Sequence, residues 1–173
     1  MTSPETLAAL ATAIEAEKQS LHNYLEFAWN TRDSSGKQMF VRLATDEFEH
    51  MRLLETQQAS LAQSGGWQPA SADATVIERI VPRLSDKSLR IRGTAGQNQL
   101  SALNTALDLE RSAQTFYEEQ SRRVQAEPGR AMFTRLAEME AAHYALIQAE
   151  IDNITSDGFW FGLREFTLES ERP

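Results

Sequence analysis

Two pairs of side chains that could bind a metal ion occur at the same short spacing in different parts of the chain. Glu47 is followed three residues later by His50, and Glu140 is followed three residues later by His143. On a helix, residues three apart lie on one face, so each pair presents a carboxylate and an imidazole in the same direction. Oxygen and nitrogen donors together suit iron or manganese better than copper or calcium. One such pair arises often by chance, whereas two matched pairs indicate a metal site.

Each pair is accompanied by a further glutamate 30 residues upstream, Glu17 before Glu47 and Glu110 before Glu140. All four glutamates lie within stripes of apolar residues at three- and four-residue steps, where Glu is rare unless it is paired or bound. Four clustered buried carboxylates would be costly or would take up protons, and two divalent ions would neutralise them. These considerations predict six metal ligands: Glu17, Glu47, His50, Glu110, Glu140 and His143.

The chain repeats itself with an offset of 93 residues. The matching positions, with the first half given first, are Glu17 and Glu110, Tyr24 and Tyr117, Phe40 and Phe133, Leu43 and Leu136, Glu47 and Glu140, and His50 and His143. Each half is predicted to be an antiparallel helical hairpin, because the midpoints of the two glutamate spacings, residues 32 and 125, fall close to turn-like sequences. Two hairpins make a four-helix bundle with all four glutamates in one layer.

The sequence therefore predicts an all-α fold, a four-helix bundle made of two repeated hairpins joined by a long crossover. We expect a single domain over residues 1–173. It would comprise hairpin one (about 4–63), the crossover (about 64–97), hairpin two (about 98–155) and an aromatic tail (156–173). The turns are predicted at 32–36 and near 127–129. The sequence assigns no role to residues 65–96, and Phe159 to Phe166 would pack on the bundle or form a subunit contact.

Composition excludes several functional classes. The chain has no cysteine, which rules out disulfides, iron–sulfur clusters and cysteine-ligated zinc. A net charge of −8 argues against nucleic-acid binding, which needs a basic face. No apolar run approaches the roughly 18 residues of a membrane span, and no signal peptide is visible. We expect a cytoplasmic protein with neither nucleic acid nor membrane as a partner.

Two tyrosines are further candidates for the site, whereas eight other glutamates are not. Tyr24 and Tyr117 lie seven residues after Glu17 and Glu110, two turns along the same helix face. They would hydrogen-bond the ligand carboxylates, quench radicals, or simply fill the core. These eight other glutamates mostly fall off the inner face and are predicted to be surface acids: Glu15, Glu26, Glu49, Glu55, Glu118, Glu119, Glu138 and Glu150.

The doubled pattern resembles the rubrerythrin branch of the ferritin-like superfamily over roughly residues 7–154. The residues that carry the resemblance are Glu17, Tyr24, Phe40, Leu43, Ala44, Glu47, His50, Glu110, Glu140 and His143. It implies a ferritin-like bundle with two iron ions, or manganese or a mixed pair, bridged by Glu47 and Glu140. Glu17 and His50 would then belong chiefly to one ion, and the other two ligands to the second.

The same resemblance implies reduction of hydrogen peroxide by a cytoplasmic homodimer. The lack of cysteine means that no rubredoxin-like iron domain is present, so electrons would come from a separate rubredoxin-like protein or flavoprotein, or from Fe(II) itself. Ala113 stands where rubrerythrins usually carry a further glutamate. The alternatives are a ferroxidase or iron-binding protein that passes iron onward, an oxygenase acting on an organic substrate, and an interaction bundle that uses the aromatic tail.

Overall fold

The computed structural model describes residues 4–68, 97–158 and Trp160, and within these ranges it is helical and contains no strand. Its four helices are α1 (Pro4–Asn30), α2 (Ser34–Ser64), α3 (Gln97–Arg123) and α4 (Glu127–Asp157). Helix α1 packs along α2, α3 packs along α4, and the two hairpins meet mainly between α1 and α3. The predicted all-α four-helix bundle is confirmed.

The repeat governs the helix boundaries as well as the sequence. Helices α1 and α3 each have 27 residues, and α2 and α4 each have 31. Every helix in hairpin two begins and ends 93 residues after its counterpart in hairpin one. Matched lengths place matched residues at matched heights in the bundle, so the two hairpins are related by an approximate twofold axis.

Both turns differ from the sequence prediction: the first, 31–33, is shorter than the predicted 32–36, and the second, 124–126, comes before the predicted 127–129. The Asp33 carboxylate caps α2 by accepting hydrogen bonds from the backbone N–H groups two and three residues later, at 2.8 and 3.1 Å. Residues 34–36 therefore form the first turn of α2 and not part of the loop. In hairpin two, Pro128 occupies the first turn of α4, where a missing N–H costs nothing. The turn predicted near 127–129 lies just before these residues, which begin the fourth helix.

Two apolar clusters fill the bundle above and below the middle of the helices. One contains Tyr24, Ala28, Met39, Phe40, Leu43, Ala44, Leu103, Ala106, Leu107, Ile147, Ile154 and Trp160. The other contains Leu10, Ala13, Ile14, Leu54, Leu61, Tyr117, Val124, Met132, Phe133, Leu136 and Ala137. Most members of one cluster are the repeat counterparts of members of the other. The predicted metal ligands occupy the layer between them.

Each hairpin ends in a tryptophan that packs on the other hairpin. Gly65 and Gly158 end α2 and α4 in the left-handed conformation, with φ of 69° and 76°, and a tryptophan follows two residues later. Trp67 packs on Phe133, with ring centroids 6.3 Å apart, and places its indole over Gly129. Trp160 makes the matching contacts with Phe40, at 5.8 Å, and Gly36. The two tryptophans thus fasten the hairpins to each other reciprocally.

The outer surfaces of the hairpins differ, although their cores match. Among the described residues, the exposed large apolar side chains all belong to hairpin one, and Trp29 is the most exposed at 86%; the set is Leu25, Trp29, Val41 and Phe48. Their counterparts in hairpin two are Glu118, Arg122, Thr134 and Ala141, of which Arg122 and Glu118 form an ion pair at 3.2 Å. The predicted homodimer stays a prediction.

Parts of the predicted organisation lie outside the described residues. This holds for residues 69–96 of the crossover and for most of the tail, including Phe159 and Phe166. The prediction of a single domain over 1–173 therefore stays a prediction. None of the four helices is both long enough and apolar enough to cross a bilayer.

The tryptophan contacts predict that Gly36→Ala and Gly129→Ala destabilise the protein. A Cβ would lie 2.6 Å from the Trp160 ring at the first position and 2.4 Å from the Trp67 ring at the second. Overpacking of this kind costs about 1–3 kcal/mol, against a gain of ~1 kcal/mol for alanine over glycine in a helix. Urea denaturation measures the loss. Gly66→Ala is the control, since its nearest neighbour would be a hydroxyl at 3.6 Å, and equal midpoints for all three variants would contradict the prediction.

Candidate metal centre

The structure brings all six predicted ligands into one buried layer. Helices α1 and α3 each contribute one glutamate, Glu17 and Glu110, and α2 and α4 each contribute one Glu-x-x-His pair. No member of the set is more than 7% exposed. The equal 30-residue spacing of the glutamates in two antiparallel hairpins predicted this arrangement, with all four carboxylates at the middle of the helices.

The six residues form two overlapping groups, each able to hold one metal ion. One group is Glu17, Glu47, His50 and Glu140; the other is Glu47, Glu110, Glu140 and His143. Within each group the ligand atoms lie within 4.8 Å of one another. Glu47 and Glu140 belong to both groups. This overlap gives two adjacent candidate metal positions that share a pair of carboxylates.

Both histidines turn the same ring nitrogen towards the carboxylates. Nδ1 of His50 lies 3.0 Å from Glu140 Oε1, 3.5 Å from Glu47 Oε2 and 3.7 Å from Glu17 Oε2. The two imidazole rings stack with centroids 5.6 Å apart and an interplanar angle of 20°. The imidazoles are therefore side by side, each with one nitrogen directed into the layer.

The surroundings of His143 match those of His50 on one side of the ring and differ on the other. Its Nδ1 lies 3.3 Å from Glu47 Oε1 and 3.5 Å from both Glu110 Oε2 and Glu140 Oε2. Its Nε2 lies 3.3 Å from Oδ2 of Asp46, a carboxylate of the opposite hairpin. The sequence analysis did not predict a role for Asp46. The available signal was its position directly before the predicted ligand Glu47.

The two tyrosines hydrogen-bond the glutamates of the opposite hairpin. Tyr24 Oη donates to Glu110 Oε1, and Tyr117 Oη donates to Glu17 Oε1. Burial, followed by the nearby carboxylates, raises the pKa of both phenols, so they remain protonated donors. Of the roles that the sequence left open, hydrogen bonding to the carboxylates is the one that the structure shows.

The glutamates on α1 and α3 have strongly raised pKa values. Burial raises the pKa of Glu17 to about 9, and the adjacent Glu47 carboxylate adds to the effect. Burial likewise raises the pKa of Glu110 to about 8, with the Glu140 carboxylate acting in the same direction. Without metal, these two carboxyl groups are protonated near neutral pH.

The remaining four groups are charged when no metal is bound. Burial alone would raise the pKa of Glu47 and Glu140, but hydrogen bonding from neighbouring groups, the imidazoles included, holds the first well below its usual range and lowers the second to about 2. Burial alone would lower the pKa of both histidines, but the surrounding carboxylates, with Asp46 beside His143, raise it. Two carboxylates then face two imidazolium ions, and the metal-free layer is neutral.

Several atoms in the layer make no hydrogen bond of normal geometry to a described residue, although the two imidazole Nδ1 atoms lie at ion-pair distance from the carboxylates. The atoms without such a bond are Glu47 Oε1, His50 Nδ1 and Nε2, Glu110 Oε2, Glu140 Oε1 and His143 Nδ1. Buried polar atoms without partners are uncommon because each costs free energy, and they point to a missing ion or water. All but His50 Nε2 are carboxylate oxygens or the imidazole nitrogens that face them. Four carboxylates and two imidazoles can hold a metal ion, and the residues present fit a dinuclear centre.

One of the predicted surface acids is buried. Glu150 is only 2% exposed, so that prediction is wrong for this residue. It lies three residues after Ile147 and four before Ile154, on the inner stripe of α4, and this spacing was the available signal. Its repeat counterpart Gln57 is also buried, and the Gln57 side-chain amide exchanges two hydrogen bonds with the backbone of Gln68.

The pKa shifts predict that the metal-free protein loses stability as the pH rises from about 5 to about 9. The folded chain keeps protons on Glu17 and Glu110 up to about 9 and 8, whereas the unfolded chain loses them near 4.5. The folded state thus binds more protons in this range, and the free energy of unfolding falls with pH. Urea denaturation with a chelator, over this range, measures the slope.

A double variant, Glu17→Gln with Glu110→Gln, is the matched control for this pH effect, because it removes both raised carboxyl groups and keeps their size. Its slope between about pH 5 and 9 should be flatter than that of the wild-type protein. A wild-type protein whose stability increased steadily over the same range would contradict the assignment of protons to these two residues.

Comparison with known proteins supports the fold and leaves the chemistry open. No protein-family model matches the chain, and no curated protein matches it. The solved structure of a hypothetical protein from Pyrococcus furiosus is similar, with a TM-score of 0.66. The match covers 88% of this chain and 91% of that chain at 22% sequence identity. At this identity the likeness shows that the two chains share a fold.

Proposed function

We propose that this chain is a rubrerythrin-like diiron-carboxylate protein that reacts with hydrogen peroxide or dioxygen and is re-reduced by an external electron donor. The observation that carries the proposal is the pair of overlapping buried groups that share Glu47 and Glu140. The unpartnered atoms of that layer support it, since they are metal-ligand atoms directed at one another. Neither feature has a use in a bundle that only packs its core.

One iron would be held by Glu17, His50 and the shared Glu47 and Glu140, and the other by Glu110, His143 and the same shared pair. Iron bound there would supply Lewis acidity and one electron from each of two adjacent ions. Neutrality favours this occupancy, because two divalent ions balance four ionised carboxylates. Binding therefore displaces protons from Glu17, Glu110 and both imidazoles.

The chain's own residues fix the ligands and exclude bulk water. The Tyr24 and Tyr117 hydroxyls hold the Glu110 and Glu17 carboxylates from the opposite hairpin. Apolar clusters close the layer above and below. A dry, rigid surround strengthens each electrostatic contact and limits the side reactions of a reduced centre.

The electron donor is proposed to be a separate rubredoxin-like protein or flavoprotein. The chain has no cysteine and so carries no cysteine-ligated redox site of its own. The same proposal includes that the chain forms a homodimer and acts in the cytoplasm. Manganese, or a mixed pair of ions, would satisfy the same ligand set.

A second candidate function is a ferroxidase that passes iron onward. Two observations favour it. Ala113 supplies no carboxylate where rubrerythrins usually have one, and packs instead against an apolar cluster. The Asp46 and His143 side chains are 16% and 9% exposed, so one edge of the layer lies close to the surface. Iron that leaves after oxidation would need such an edge.

We expect hydrogen peroxide to oxidise the diferrous protein faster than dioxygen does, with both irons retained. Stopped-flow absorbance on anaerobically Fe(II)-loaded protein, mixed separately with peroxide and with air-saturated buffer, measures the two rates. Iron analysis after gel filtration reports retention. Faster oxidation by dioxygen with iron release would favour the ferroxidase, and faster oxidation by dioxygen with iron retention would favour an oxygenase. Either result would contradict the expected preference for peroxide.

Removal of a shared carboxylate should prevent dinuclear binding. Glu47→Ala or Glu140→Ala takes one ligand from both positions and leaves the imidazolium charges without their main counter-ions, so we expect at most one tightly bound iron per chain. Metal analysis of reconstituted protein gives the stoichiometry. Glu55→Ala and Glu138→Ala, at exposed positions of the same two helices, should retain two irons. Two tightly bound irons in either shared-carboxylate variant would refute the bridging assignment.

A further inference from the structure

The two histidines differ in what holds the outer edge of the ring. A histidine that binds a metal through Nδ1 must carry its proton on Nε2, and a hydrogen-bond acceptor there fixes both this tautomer and the ring orientation. Since His50 and His143 both direct Nδ1 at the carboxylates, the partner of Nε2 becomes the point of comparison.

His143 has such a partner. Its Nε2 lies 3.3 Å from Asp46 Oδ2, with Asp46 on α2 and His143 on α4. The donor and acceptor therefore come from opposite hairpins, and the ring is fixed from outside its own helix. A carboxylate acceptor also makes the imidazole a better donor to a metal.

Within the part of the chain that the structure describes, His50 has no partner of this kind. Its Nε2 is buried and makes no hydrogen bond to a described residue. The repeat accounts for the difference, because the residue 93 positions after Asp46 is Met139. A thioether sulfur is a weak acceptor and carries no charge. The approximate twofold symmetry of the centre is broken at this pair of positions.

We propose that Asp46 is a positioning residue that makes the two metal positions unequal, so that the position containing His143 binds its ion more tightly and fills first. This inference rests on the proposed function, and it adds the order in which the two metal positions are filled. For His50, no acceptor among the described residues fixes the tautomer and the ring orientation from the Nε2 side. For His143, Asp46 fixes both.

The exposure of the two edges acts in the same direction. The side chains of His143 and Asp46 are 9% and 16% exposed, compared with 2% for His50. An ion arriving from solvent on this side meets the Asp46 carboxylate and the His143 position before the more deeply buried one. The position that binds more tightly is therefore also the nearer one.

Calorimetric titration of the metal-free protein with Co(II) tests the proposal without any redox reaction. Wild-type protein should bind two ions in unequal steps. Asp46→Leu, which removes the acceptor, should weaken the tight step by about 10- to 100-fold. Asp46→Asn should give a smaller loss, because its amide oxygen still accepts the N–H but carries no charge. Met139→Asp should strengthen the weak step by supplying the missing acceptor.

A double-mutant cycle assigns the effect to one position. In a His50→Ala background, Asp46→Leu should still weaken the remaining ion, whereas in a His143→Ala background it should have little effect. A purely structural role for Asp46 would lower affinity in both backgrounds. Urea midpoints of the metal-free variants check that each one folds.

The outcomes separate this inference from the proposed function. Wild-type protein that binds no Co(II) would overturn both. Two bound Co(II) ions with a titration unchanged by Asp46→Leu would overturn the inference alone. The same holds if Asp46→Leu weakens both steps equally, since that result would indicate a general charge effect and not the positioning of one ring.

Discussion

The whole molecule depends on neutralising a layer of six ionisable groups that its folding removes from water. Unbalanced charges at that depth would cost more than a domain of this size can supply, since net stabilities are only about 5–15 kcal/mol. Protons satisfy the condition in the metal-free state, where Glu17 and Glu110 are neutral and the other charges cancel. Two divalent ions would satisfy it in the proposed metal-loaded state. The long helices, the apolar clusters and the tyrosines serve to keep the six groups where either solution works.

Contacts between the hairpins complete the candidate site. Each candidate metal position takes at least one carboxylate from the opposite hairpin. The tyrosine hydrogen bonds and the tryptophan contacts cross in the same way. Packing, hydrogen bonding and metal ligation are therefore coupled across one interface. A disturbance at the tryptophans would reach the ligand layer through Phe40 or Phe133, which stack on Tyr24 and Tyr117 respectively.

The sequence was sufficient for the fold and for the six grouped residues because glutamates rarely recur on an apolar stripe at a fixed offset unless they are paired or bind an ion. The helix starts were not predicted because they depend on single residues, the capping carboxylate of Asp33 and the first-turn proline Pro128, which shift each boundary by a few residues. The surface prediction for Glu150 is wrong because its position on the inner stripe of α4, and not its charged residue type, determines its burial. The contacts of Trp67 and Trp160 depend on how the hairpins cross, which no pattern within one hairpin reveals. The 93-residue offset nevertheless relates them to each other.

The covalent link between the two hairpins has a consequence for the symmetry of the site. A homodimer of one such hairpin would contain the same six groups, but its twofold axis would force identical surroundings on both ions. In a single chain, each half can change alone. Asp46 and Met139 differ in this way at the centre, and Trp29 and Arg122 differ at the surface. Joining two copies end to end thus allows the two candidate metal positions to differ, which a symmetric dimer of identical hairpins excludes.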